Sequence, residues 1–455
     1  MRKLATAGLV LFTAGLATAA PPNLVFILAD DLGRADCGFM GGTQIKTPHL
    51  DKLAAAGVVL DAFYVQPVCT PTRAALMTGR YPMQHGLQVG VVRPWAQYGL
   101  PLAERTLPQA LKEAGYATAI VGKWHLGHFA PEYLPTKRGF DHQYGHYMGQ
   151  IDYYAHTRDG GFDWHCDDRV CRDEGYSTHL IANEAVKFVQ TTAGKQPFLL
   201  YVPFNAVHAP HQVPADYTKP YNDLTGDRKA YAGMLAAMDE AVGKIVAAID
   251  AAGVRQNTLF VFSSDNGGPS PGKITDNGKY RAGKGTLYEG GVRVAAFATW
   301  DGHLKPGTVN AEPLHMVDWY PTLLKLAGAK LEQPLPVDGY DLWPTLTTGK
   351  PSPHDTILIN STPKTGALRQ GEWKLVALDG VDAEGEAAKK DGKKSVELFN
   401  LKDDPYEKTN LADSQPERVK RLRARLAEFA QQAVPPKAAA KPKDFVTPKV
   451  WGEKN

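Results

Sequence analysis

The sequence predicts an α/β protein, a layered architecture with a largely buried sheet, followed by a small C-terminal α+β domain with an antiparallel sheet and a helix. Three observations predict it. Strand-length apolar runs alternate with helix-like segments over the first three quarters of the chain. Two of those helices carry a Thr cap with a proline in the first turn. After about Pro344 the pattern changes to strand-like pieces closed by one helix.

The elements follow in order. Arg2 and Lys3, the apolar stretch Leu4 to Leu16 and the small-residue pattern Ala17-Thr18-Ala19 read as a signal peptide over residues 1–20. The stretch is shorter than the roughly 20 apolar residues of a membrane span, and no later segment is apolar enough to be an integral membrane segment. An exported protein, periplasmic or secreted, is expected. A large unit should then occupy residues 21–344. Asn23 to Ala29 (NLVFILA) is an apolar run of strand length. Thr47-Pro48 opens a helix closed by Gly57, and Thr106 to Gly115 repeats the device. Strands are expected at Ala117 to Val121, Pro197 to Val202, Thr258 to Ser263 and Val292 to Thr299. A long helix is expected at Arg228 to Ala252, where Met234, Leu235, Met238, Val242 and Ile245 recur at helical spacing.

A second unit over residues 345–434 should carry strands at Asp355 to Asn360, Trp373 to Leu378 and Ser395 to Asn400. The polar stretch Asp379 to Lys394 reads as a solvated hairpin loop, and Ser414 with Glu417 as a capping box for a helix reaching Gln432. Residues 435–455, rich in Pro, Ala and Lys, read as an extended or mobile tail.

Composition narrows the function classes. The chain has 455 residues, with 51 Lys plus Arg against 48 Asp plus Glu, a net charge of +3. That balance argues against a nucleic-acid partner bound through phosphate neutralisation. Four cysteines are too few for a disulfide-built scaffold.

Ionisable residues collect just past the predicted strands. Asp30-Asp31, Lys123 and His125, His208, and Asp265-Asn266 each follow one. Open α/β sheets bind ligands at the carboxyl ends of their strands. Singly, each group has an ordinary explanation. Asp30-Asp31 suits a helix cap, Asp265-Asn266-Gly267-Gly268 a tight turn, Lys123 a surface lysine beside Trp124, and a lone histidine a structural role. Together, Asp30, Asp31, Asp265 and Asn266 form an oxygen set suited to Ca²⁺ or Mg²⁺ rather than Zn²⁺. Cys69 precedes a helix start, where a lowered pKa would make it nucleophilic; a buried structural cysteine is the alternative.

The run Cys69-Thr70-Pro71-Thr72-Arg73, followed by Ala74 to Arg80 (AALMTGR), resembles the signature of the formylglycine-dependent (type I) sulfatases. The resemblance continues through LADDLG (Leu28 to Gly33), TPHLDKLAAAGV (Thr47 to Val58), GKWHLG (Gly122 to Gly127), RGFD (Arg138 to Asp141) and HAPHQVP (His208 to Pro214). It extends through FSSDNGG (Phe262 to Gly268), GKGTLYEGGVR (Gly283 to Arg293) and ELFNLKDDPYEKTNLA (Glu397 to Ala412). The wording is most similar to the arylsulfatase B, or N-acetylgalactosamine-4-sulfatase, branch.

The resemblance implies an alkaline-phosphatase-like fold, a large mixed sheet sandwiched by helices, and a sulfuric ester hydrolase acting on a sulfated carbohydrate or aryl sulfate. It implies that a formylglycine-generating maturation enzyme oxidises Cys69 to an aldehyde. Asp30, Asp31, Asp265 and Asn266 would hold the metal, usually calcium, with Cys69 adjacent. Arg73 would pair with the formylglycine hydrate and the carboxylates. Lys123 and Lys284 would contact sulfate oxygens, although Lys279 and Arg281 lie close to Lys284 in sequence. His125 would contact the hydrate, and His208 the leaving-group oxygen as a general acid. One hydroxyl of the hydrate would attack sulfur, and the other would release sulfate after losing its proton.

Two other functions stay open at this point: a phosphomonoester, phosphodiester or phosphonate ester hydrolase using the same site, and a non-catalytic binder of sulfated glycans should Cys69 not be matured. Cys166 and Cys171, in HCDDRVC, are expected to form a short-loop disulfide, with a metal site beside His165 as the alternative. Cys37 reads as a buried thiol. The aromatic stretch Tyr144 to His156 is expected to line a substrate cleft.

Overall fold

A computed structural model of the chain describes residues 20–361, 366–378 and 396–453. Most of the proposed signal peptide and the Asp379 to Lys394 loop therefore lie outside the described residues.

The core is a ten-stranded mixed sheet. Its centre is parallel: Thr258–Ser264, Asn23–Ala29, Phe198–Pro203, Ala117–Lys123 and His142–His146 lie side by side in that order. Ala296–Thr299 runs antiparallel to Thr258–Ser264 and is followed by Val58–Leu60 and Thr308–Asn310. At the opposite edge lie His165–Cys166 and Arg169–Val170.

Successive strand side chains point to opposite faces, and here both faces are covered. Leu24, Phe26 and Leu28 face one apolar cluster, which contains Ala74, Leu76 and Met77 of the helix Cys69–Thr78 and Leu107 and Leu111 of the helix Leu107–Glu113. Val25, Ile27 and Ala29 face the other, built on the helices Pro48–Ala55, Ser177–Thr192 and Gly226–Ala251. Burial on both sides is why these strands read as continuous apolar runs rather than alternating ones.

The predicted helix starts resolve differently. Thr106 makes a full capping box with Gln109. Thr47 caps nothing with its side chain, which instead donates to Asp51 and accepts from the Gly38 N–H. Ser414 and Glu417 form no capping box. The helix Pro416–Ala430 starts at its proline after Gln415, and the Ser414 hydroxyl turns back to the Leu411 carbonyl. The predicted strand Val292 to Thr299 is shortened to Ala296–Thr299, because Glu289–Val292 winds into a helical turn that buries Glu289.

Thr356–Ser361, Gly366–Gln370, Trp373–Ala377 and Val396–Asn400 form the expected small antiparallel sheet, here with four strands. Leu358, Leu368 and Leu375, with Leu422 and Leu426 of the closing helix, join one of the main apolar clusters, so this sheet shares the large sheet's core. The tail is extended and packed. Val434 donates to the Met83 carbonyl, Lys437 to that of Gly86, and the Trp451 side chain is buried.

Cys37 is buried, as expected. Cys166 and Cys171 are not joined: both are free thiols, hydrogen-bonded to each other across the hairpin that begins at His165–Cys166. The hairpin register pairs Cys166 with Arg169, which leaves Cys171 two residues past the partner position.

A buried charge network ties the small sheet to the loop carrying Lys284. Lys374 on Trp373–Ala377 is fully buried between Glu289 at 2.9 Å and Glu407 at 2.8 Å. Glu407 also accepts the Glu289 N–H, and Tyr64 donates to Glu289. Removing one member of such a network leaves uncompensated buried charge, a cost of about 3–5 kcal/mol. Lys374→Met should therefore lower stability to chemical denaturation by about that amount, and a variant with an unchanged denaturation midpoint contradicts this role.

Candidate active site

The strands Asn23–Ala29 and Thr258–Ser264 are parallel neighbours in register, with Ala29 opposite Ser264. The next residues, Asp30-Asp31 and Asp265-Asn266, therefore emerge together at the carboxyl edge. Asp31 adopts φ 62°, in the left-handed region, and its N–H points to Asp265 Oδ1 at 3.3 Å. All four residues are buried.

Three cations converge on these carboxylates from separate elements. Arg73, one turn into the helix Cys69–Thr78 and fully buried, donates through Nε and Nη2 to Asp265 Oδ2 at 3.1 and 2.8 Å. Its Nη1 donates to the Lys123 carbonyl at 3.1 Å. Lys123, at the end of Ala117–Lys123, pairs with Asp30. Lys284 pairs with Asp31 at 2.9 Å. Its sequence neighbours turn elsewhere: Arg281 pairs with Glu397, and Lys279 lies over the Tyr406 ring.

The electrostatics show crowding of negative charge. Burial, with Asp30 next to it, lifts Asp265 to about 6 even though Arg73 and Lys123 pull the other way. Burial would also raise Asp31, but Lys284, His208 and the Asn266 amide outweigh it and hold its carboxyl well below the usual range. Asn266 donates through Nδ2 to Asp31 Oδ1 at 2.7 Å, while its buried Oδ1 has no hydrogen-bond partner. A buried acceptor left unpaired is uncommon and calls for an explanation. Donor atoms of Asp30, Cys69 and Asp265 lie within 4.8 Å of one another, as do those of Asp30, Asp31 and His208. Three clustered carboxylates and an unpaired amide oxygen, all hard oxygen donors, fit a divalent cation such as Ca²⁺ or Mg²⁺.

Cys69 opens its helix with Sγ 3.9 Å from Asp30 Oδ1. The expectation of a lowered pKa fails. Burial pushes the thiol up to about 12, and Lys123 and Lys284 only partly oppose it. Burial thus disfavours the thiolate of unmodified Cys69.

Both histidines border Cys69. The His125 Nε2 faces the Val92 carbonyl at 3.1 Å, and burial with Lys123 and Arg73 nearby holds the ring neutral. Gly149 packs so close to that ring that a Cβ would lie 2.3 Å from it, so only glycine fits there. His208 points Nδ1 at the Ala209 carbonyl, 2.6 Å away, which places the ring proton on Nδ1. Its Nε2 lies 3.6 Å from Asp31, and burial lowers its pKa to about 3.

Cys69, His125, His208 and Lys284 line a single cleft. Every site residue expected from the sequence therefore belongs to this cluster, except the separate pair Cys166 and Cys171. Of the aromatic stretch Tyr144 to His156, only Gly149 and Gln150 reach the cleft. Tyr144, Tyr147 and Tyr153 are buried, and the Tyr153 hydroxyl lies 2.6 and 2.7 Å from the Asn205 and His208 carbonyls, where it fixes the His208 turn. Sequence reasoning missed that contact, and also Thr70, whose hydroxyl donates to the His125 carbonyl and accepts from the Val92 N–H. It missed Arg93 and Arg158 on the cleft wall as well. No motif signals these residues; only their placement does.

If the carboxylate cluster holds a divalent ion, adding Ca²⁺ to chelator-treated protein should raise the thermal midpoint by several degrees, since a ligand present at ~100 times its Kd adds about 2.7 kcal/mol. Asp31→Asn should abolish the gain. A midpoint insensitive to both Ca²⁺ and Mg²⁺ contradicts the assignment.

Comparison with known proteins agrees with the geometry. The family model named Sulfatase matches residues 22–329. Mouse (Mus musculus) arylsulfatase J is 39% identical over 93% of this chain and 78% of its own length. Human (Homo sapiens) arylsulfatase A is 37% identical over 80% of this chain and 76% of its own. The crystal structure of Ps i-CgsB superposes with a TM-score of 0.83 at 33% identity, over 91% of this chain and 94% of that one. A match over more than half the sequence, with relatives of this identity spanning most of both chains, shows that the chain belongs to the sulfatase family.

Proposed function

We propose that this sulfatase removes sulfate from a sulfated carbohydrate, with Cys69 matured to formylglycine and Ca²⁺, or alternatively Mg²⁺, held by Asp30, Asp31, Asp265 and Asn266. The observation that carries the proposal is the buried Cys69 thiol set 3.9 Å from a carboxylate cluster that carries an unpaired amide oxygen. Ps i-CgsB has been crystallised with k-i-k-neocarrahexaose, which supports a carbohydrate substrate. The N-terminal segment supports export to the periplasm or exterior, and the CTPTR run supports maturation by a formylglycine-generating enzyme.

When present, the hydrated formylglycine supplies an oxygen nucleophile and the cation offsets the negative charge of the ester. The rest is done by side chains. Lys123 and Lys284 already face carboxylate oxygens, acceptors of the same charge as a sulfate oxygen. Arg73 fixes Asp265 through two bonds and keeps the carboxylates oriented. His125, beside Cys69 and neutral, is suited to accept a proton. His208 keeps Nε2 free for the leaving-group oxygen. To act as an acid it must take up a proton at Nε2, which an arriving anionic ester favours by opposing Lys284 and Lys123.

Leaving-group dependence tests this assignment. An alkoxide departing from a sugar sulfate needs a proton far more than 4-nitrophenolate does. His208→Ala should cost about 10²–10⁴-fold in turnover of a sugar sulfate and much less with 4-nitrophenyl sulfate. Equal losses on the two substrates contradict His208 as the acid, and no turnover of either by matured wild-type protein contradicts the proposed reaction.

A further inference from the structure

The cleft contains two cations that sulfate-ester cleavage does not use. Arg93 and Arg158 line it together with Cys69, His125, His208 and Lys284, and none of the described residues lining it is acidic. Lys284 is committed to Asp31. Among the described residues, the Arg93 guanidinium has no hydrogen bond or ion pair. Arg158 is held loosely: Nη1 donates to Gln150 Oε1 at 2.5 Å, and Nε lies 3.3 Å from the half-exposed Asp159 carboxylate. A partly exposed pair of this kind is weak, so an incoming anion can compete for the guanidinium.

The two arginines come from separate segments, and one strap holds both. Trp95, two residues after Arg93, donates from Nε1 to the Ala439 carbonyl at 2.7 Å, and Lys441 Nζ sits 5.8 Å over its ring. Further along the tail, the buried Trp451 donates from Nε1 to the Arg158 carbonyl at 2.9 Å. The Trp451 N–H also bonds the Phe162 carbonyl, closing the turn that follows Arg158. Residues 439 to 451 therefore fix the backbone of both arginine-bearing segments to one extended chain. Guanidinium groups favour planar or tetrahedral oxyanions through charge-assisted hydrogen bonds.

We propose that Arg93 and Arg158 form a leaving-group subsite for a second anionic group, so that the preferred substrate carries another sulfate or a carboxylate besides the ester cleaved. The inference rests on the sulfate-ester reading and adds the charge of the leaving group to it. It separates a polyanionic saccharide, which uses the wall, from a neutral monosulfated sugar, which leaves it unused.

Competition against 4-nitrophenyl sulfate tests it with matured full-length protein. The competitors are an N-acetylhexosamine 4-sulfate and the same sugar with a second sulfate at O6. In the wild type the disulfate should inhibit about ten- to a hundredfold more tightly than the monosulfate, the range for added hydrogen bonds to a charged group. Arg93→Gln and Arg158→Gln, made separately, should each shrink that preference at least several-fold. The readout is a ratio within one variant, so a general loss of activity does not imitate it. Equal inhibition by the two sugars in the wild type, or a preference unchanged in both variants, overturns the subsite. Failure of the matured wild type to turn over either 4-nitrophenyl sulfate or the sugar sulfates overturns the sulfate-ester reading, and the subsite with it.

Discussion

Three carboxylates buried at one sheet edge are the constraint on which the rest of the structure depends. Asp30, Asp31 and Asp265 lie side by side because their strands are parallel and in register. Buried carboxylates are tolerated only when paired. Arg73, Lys123 and Lys284 come from a helix, a strand and a loop that are distant in sequence, and each pairs with one of them. The site is thus a product of the completed fold. No local segment holds its charges in balance, and burial still lifts the pKa of Asp265.

The periphery serves that centre. The small sheet inserts Lys374 between Glu289 and Glu407 and so anchors the loop that delivers Lys284. Tyr153 braces the His208 turn from beneath. The C-terminal strap reaches the opposite wall and fixes the segments bearing Arg93 and Arg158. Chemistry at the strand ends and selectivity on the wall are thereby assigned to different parts of the chain, so one can change without disturbing the other.

Much of this was legible in the sequence, for identifiable reasons. Strands buried on both faces are apolar throughout, so NLVFILA and TLFVFSS stand out, and the acidic residues after them mark the sheet edge. The CTPTR run marked Cys69 as the candidate nucleophile because its spacing is specific. Where local signals competed, the sequence was less informative. Gly366–Gln370 has little strand propensity and pairs only because its neighbours on both sides need a partner. Ser414 looked like a cap, but the proline at position 416 set the helix start. The Cys69 environment reversed its expected acidity, because burial outweighed the helix terminus and both lysines. Arg93 and Arg158 lie in no recognisable pattern, since a strap more than 290 residues past Arg158 holds that segment in place.

The central claim is that Cys69 becomes the nucleophile only after conversion to formylglycine. The most direct measurement is the mass of the tryptic peptide Leu53 to Arg73 from protein produced with a formylglycine-generating enzyme. The account predicts the mass of the aldehyde or its hydrate in place of the thiol, in proportion to sulfate-ester turnover across preparations. An unmodified cysteine in fully active protein, from a host that matures a control sulfatase, would contradict it.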